Sequence, residues 1–217
     1  MNRFLLATAL LFLASASGSV AAQTDSLVFP AFEPLEAGGT GWERAPLYTS
    51  LEAALAVEDP LTVYRLDLSR QRLKTVPEEL ARFTELRELR LDRNKLKTLP
   101  AFLARFSHLE IFSAEENELT AFPDAMWSWP RLKELRLGDN WIEAIPLNID
   151  ACQELNVLAL WSNVIGTFPA SLSELPQLQR LDLLNNEMTA EEQELLRIWL
   201  PDVQIDFSQP CRCEFED

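Results

Sequence analysis

Apolar side chains recur along the chain on one template, LxxLxLxxNxLxxLP. Its copies start at Val63, Leu86, Leu109, Leu132, Leu155 and Leu178, 23 residues apart with no insertion. Asn94, Asn117, Asn140, Asn163 and Asn186 keep that spacing, as do Pro77, Pro100, Pro123, Pro146 and Pro169. A fixed period of this length marks a stacked repeat architecture. The LxL step has period two, which predicts a short strand with both leucines facing inward. The asparagine falls where the strand turns away, and its amide can satisfy backbone groups that the turn leaves buried. The first copy has Gln71 there, with no preceding copy to ladder against. The proline opens a return segment. Two further apolar positions follow in it, held by Leu80, Leu103, Met126, Ile149 and Leu172, and by Phe83, Phe106, Trp129, Cys152 and Leu175. One coil cannot bury these faces alone, so the coils must stack into a continuous core. The third copy has Phe112 and Ala114 for two leucines, a large-beside-small exchange that keeps volume and reads as local repacking.

Such a stack exposes two apolar ends. Residues 48–62 predict an N-terminal cap helix, with Ser50 as N-cap and Pro60 as the stop. Six repeats occupy residues 63–188, and residues 189–217 form a C-terminal cap and tail. There Thr189-Ala190-Glu191-Glu192 is a capping box, Pro201 ends the helix, and Val203 to Phe207 alternates like an edge strand. Residues 23–47, rich in proline and glycine, read as a loose leader. Residues 1–22 read as a secretory signal peptide: Arg3, a short apolar run, and a small-residue site ending at Ala22. The expectation is an exported protein, periplasmic, cell-surface or secreted, with no transmembrane segment in the mature chain.

These residues resemble the leucine-rich repeat family in its 23-residue Leu-Pro form, and the ends look like its short exported bacterial members. The resemblance covers Val63 to Met188. It implies an α/β solenoid: a leucine-rich repeat horseshoe with short parallel strands on the concave face and helical caps at both ends. It also implies a protein-recognition scaffold.

Charge narrows the function. The 217 residues carry 34 Asp/Glu against 19 Lys/Arg, a net charge of −15, which argues against a nucleic-acid binder. The charge is also polarised. Val63 to Phe106 holds 11 Lys/Arg and six Asp/Glu, whereas Ser107 to Asp217 holds six and 21. Such an asymmetry can steer partners or drive self-association. No Gly-rich phosphate loop, Ser/His/Asp order or calcium loop is present. The single histidine, His108, excludes most metal sites and reads as an exposed turn residue. The chain is therefore expected to be non-enzymatic, with no cofactor. Cys152 sits at an inward position and reads as a buried thiol. Cys211 and Cys213 form a C-x-C whose pairing, within or between chains, stays open.

Function then falls on outward positions. Two side chains per copy flank the central strand leucine, among them Glu88 with Arg90 and Glu134 with Arg136, and their charges read as cross-strand ion pairs. The last copies put Val157, Ala159, Trp161, Val164 and Leu184 outward, next to Trp141. An apolar cluster rimmed by Arg136, Asp139, Arg180 and Asp182 has the composition of an interface centre. The competing reading is an indole lying flat on the next coil. The candidate partner-binding residues are Arg90, Arg136, Trp141, Val157, Trp161, Val164 and Leu184. The expected function is recognition of a protein partner through the concave face and the rim of the C-terminal half. Alternatives are a structural or adhesion component of the cell envelope that binds glycan or matrix, and an inhibitor of a secreted enzyme.

Overall fold

The computed structural model describes residues 41–210. The expected signal peptide, most of the expected leader, and Cys211 with Cys213 lie outside the described residues.

Each LxL step lies on a short strand, and one further strand flanks the six at either end. In chain order these are β1 (Leu47–Tyr48), β2 (Arg65–Asp67), β3 (Glu88–Arg90), β4 (Ile111–Ser113), β5 (Glu134–Arg136), β6 (Val157–Ala159), β7 (Arg180–Leu183) and β8 (Gln204–Phe207). Among the described residues they pair parallel, in sequence order, in one open sheet of eight strands. The register advances by 23 residues per coil, so Leu66, Leu89, Phe112, Leu135, Leu158 and Leu181 lie in line. The return segments are 3₁₀ turns, such as Glu78–Arg82 and Ala101–Arg105, which are entered from a proline in extended conformation, while Ile149–Ala151 is shorter and entered from Asn148. Each of the first two turns is five residues long, the short run typical of the 3₁₀ form.

The core is one apolar column along the stack. Trp129 is fully enclosed, and its indole N–H donates to the Leu103 carbonyl at 2.8 Å. The Phe112 ring packs on Trp129 with centroids 4.9 Å apart, while Ala114 beside it is fully buried. The large side chain thus takes space its small neighbour leaves. Beside the strands runs the asparagine ladder. Asn140 Nδ2 donates to the carbonyls of Ala114, Leu137 and Gly138 at 3.0, 3.0 and 3.1 Å, and its Oδ1 accepts from the Leu119 amide at 2.9 Å. The residue before each ladder position is left-handed: Arg70, Arg93, Glu116, Asp139, Ser162 and Asn185 have φ between 50° and 61°. Each costs on the order of 1–2 kcal/mol for a residue with a side chain. The ladder bonds on either side hold the turn against that cost.

At the N-terminal end, helix α1 (Leu51–Leu55) is capped by Ser50, whose Oγ accepts from the Ala53 amide at 3.1 Å. The ordered stack begins earlier than the sequence suggests. Leu47, placed in the leader on composition, pairs with β2 through β1, and Trp42 is buried. The open edge of β2 supplies ladder partners for any extended segment that reaches it. At the other end, helix α2 (Ala190–Trp199) has a complete Thr189–Glu192 capping box, and β8 covers the last coil edge. Among the described residues no helix is long and apolar enough to cross a membrane.

Candidate recognition surface

The concave floor is built from outward strand positions, and its charges are largely internal. The Glu88 carboxylate is buried, accepts from Arg65 Nε at 2.6 Å and forms an ion pair with Arg90 at 2.6 Å. Glu134 accepts from Arg136 at 2.6 Å, and Arg180 reaches Asp206 at 2.9 Å. One row over, Glu110 is gripped by Arg87 and Lys133, both at 2.7 Å. Arg90 and Arg136 are therefore tied down by carboxylates of their own face. Arg136 shows only 14% of its side chain to solvent.

The expected apolar surface cluster is not all on the surface. Val157 and Ala159 are buried, at 2% and 0% exposure. In register they lie between long side chains on both sides, Glu134 and Arg180 for Val157, Arg136 and Asp182 for Ala159. Trp161 is half-buried rather than water-facing, because the preceding coil has Gly138 where other coils carry a side chain. A Cβ at Gly138 would sit 2.1 Å from Trp161 Nε1 and 2.3 Å from Cε2, so the indole lies flat on that backbone. It continues to the coil beyond, where Nε1 donates to Glu115 Oε1 at 3.0 Å. Leu184 is likewise half-buried. The flat-lying alternative holds for Trp161.

Beyond Asp182 of the expected rim, two carboxylates that sequence reasoning did not single out, Glu115 and Asp92, belong to this part of the surface. Burial pushes the Glu115 carboxyl above its ordinary range, against the pull of the Trp161 hydrogen bond. Burial also raises Asp92, which accepts from Ser113 Oγ at 2.6 Å and the Glu115 amide at 2.8 Å, and Asp182, which accepts from the Leu184 amide. The legible signal was Gly138 itself, the one glycine at that repeat position, one coil before a tryptophan.

Trp141 and Val164 remain exposed, at 61% and 42%. They line an open groove of about 470 Å³ with Glu116, Asp139, Ser162 and Asn185. Those last four are the left-handed turn residues, so the strained turns set the edge of the groove. Asp139 is raised by burial and by the neighbouring Glu116 charge. His108 is a half-exposed turn residue, its Nε2 3.8 Å from Glu85. Cys152 is buried, and burial, with Asp150 nearby, pushes its thiol up to about 11. Among the described residues no three His, Cys, Asp or Glu gather as metal ligands.

The geometry now bears comparison with known proteins. No family model and no curated relative matches the chain. Solved structures do. A leucine-rich repeat protein of Leptospira interrogans is 27% identical with a TM-score of 0.60, over 76% of this chain and 49% of that one. The leucine-rich repeat ectodomain of a plant membrane receptor kinase from Arabidopsis thaliana, solved in complex with Casparian strip integrity factor 2, is 33% identical with a TM-score of 0.51, over 60% of this chain and 17% of that one. Internalin C2 of Listeria monocytogenes, at 20% identity and a TM-score of 0.57 over 70% and 66%, shares the fold. The chain is a leucine-rich repeat protein, a horseshoe solenoid with one open parallel sheet. It spans about half the length of the Leptospira protein and a smaller part of the plant ectodomain. Neighbours of this class support a protein-interaction module in general.

Proposed function

We propose that the protein is an exported, non-enzymatic module that binds a protein partner through its concave face and the rim of its C-terminal half. The observation that carries this reading is Trp141. It is 61% exposed beside a groove, at a repeat position that other coils fill with Arg72, Lys95 and Glu118. The coil needs no apolar group there, so the indole has no evident return in folding. Trp and Arg are the residues most enriched at interface hot spots. Val164 continues the apolar wall on the next coil. Val157 is buried, Trp161 and Leu184 are half-buried, and Arg90 and Arg136 are tied to carboxylates, so the contact falls on Trp141 and Val164. Export rests on the sequence of residues 1–22.

A photo-crosslinking side chain placed at position 141 or 164 captures the partner from the producing cells, and titration of that partner follows. Trp141→Ala is expected to weaken binding by at least about 2 kcal/mol, roughly thirtyfold in Kd, with little change in the melting curve. Unchanged affinity with the captured partner overturns this placement.

A further inference from the structure

The rim of the first two coils carries a different chemistry. Arg70, Arg72 and Lys74 follow β2, and Arg93, Lys95 and Lys97 follow β3, each pair 23 residues apart and so side by side on neighbouring coils. All six are exposed. Stacked coils lie about 4.8 Å apart, so the six form a small grid of cations. Arg93 reaches Glu116 at 2.6 Å and Lys97 reaches Glu118 at 3.7 Å on the third coil. The side chains of Arg70, Arg72, Lys74 and Lys95 meet no acidic partner among the described residues. Four unpaired cations are conspicuous in a chain with a net charge of −15.

Backbone conformation supplies a second, independent observation. Arg70, Arg72 and Arg93 are left-handed, with φ of 61°, 58° and 56°. Asn or Gly adopts that conformation at less cost. Arg72 is left-handed at a repeat position where Lys95, Glu118, Trp141 and Val164 are not. The turn at Arg70 and Arg93 is the one every coil makes, whereas Arg72 departs from the other coils, and strained positions of that kind cluster at ligand sites. What arginine adds is a planar fork of donors suited to sulfate and phosphate oxygens.

We propose that this grid binds a linear polyanionic glycan bearing sulfate or phosphate groups. Two coils by three positions fall far short of the ~800 Å² per partner of a stable protein interface, and the exposed positions contain no apolar centre. A second copy's acidic half is therefore a poor fit. Nucleic acid is disfavoured because none of the six positions offers a ring for base stacking. The site is separate from Trp141, so either proposal can fail alone.

The probes are a fluorescently labelled sulfated hexasaccharide and a phosphorylated oligosaccharide, titrated by anisotropy at about 50 mM salt. At least one is expected to bind, with affinity falling more than tenfold by about 200 mM salt, as charge neutralisation demands. Arg70→Asn/Arg72→Asn/Lys95→Gln should weaken that binding at least tenfold while the melting temperature holds or rises, since asparagine accepts the left-handed turn. Arg131→Gln/Arg197→Gln, away from the grid, should leave it unchanged. No binding by the wild type, equal binding by the triple variant, or tighter binding of a single-stranded oligonucleotide or polyglutamate each overturns the proposal.

Discussion

Gly138→Ala separates two ways of reasoning about this protein by sign. Considered locally, the substitution should help. Gly138 is not left-handed, so alanine fits the backbone, and removing glycine freedom from the unfolded chain stabilises by about 0.4–1 kcal/mol. The tertiary structure predicts the reverse. The new Cβ would lie 2.1 Å from Trp161 Nε1, which forces the indole off the coil. With it goes the 3.0 Å hydrogen bond to Glu115. A hydrogen bond to a charged group contributes about 1.5–3 kcal/mol. We expect a net loss of about 2 kcal/mol, equivalent to a fall of about 4–8 °C in Tm for a chain of this size. Urea denaturation of Gly138→Ala, Trp161→Ala and the double variant measures it. Once residue 161 is alanine the Cβ has nothing to strike, so the double variant should cost no more than Trp161→Ala alone. Strict additivity, or a Gly138→Ala variant as stable as the wild type, would refute the flat-indole account.

Three further outcomes are expected. Asn140→Ala removes four ladder bonds and leaves the Leu119 amide buried without an acceptor, so chemical denaturation should show a loss of about 1–3 kcal/mol; a change under about 0.5 kcal/mol contradicts the ladder's role. Burial raises Asp92, Glu115, Asp139 and Asp182 in the folded state, so that state binds protons more readily than the unfolded chain. Stability should thus rise as pH falls from neutral through those raised values toward the ordinary carboxylate range, helped by the shrinking net charge of −15; melting curves that drop steadily from pH 7 downward refute this. Cys152, buried with its thiol at about 11, should resist maleimide at pH 8 in the folded protein and react on denaturation, as peptide mapping can show; rapid native labelling contradicts its place in the core.

The repeat is legible in the chain's own spacing. Its 23-residue period, the inward leucines, the asparagine ladder, the return-segment column and both cap signals are legible because every coil meets nearly the same environment. A position such as Leu135 or Asn140 then repeats its neighbours' chemistry and announces its own. The exception at Phe112 was legible too, as compensated volume, although Trp129 as its partner was not. The outward face depends on contacts between coils. Val157 is covered because of what flanks it on two neighbouring coils, not because of its own repeat position. Trp161 is anchored by Glu115, 46 residues away, across a glycine between them. Leu47 joins the sheet with no repeat mark of its own, because the edge of β2 offers it backbone partners. Inward positions answer to the period, which a single chain displays. Outward positions answer to particular neighbours one and two coils away, and those meet only when the stack closes.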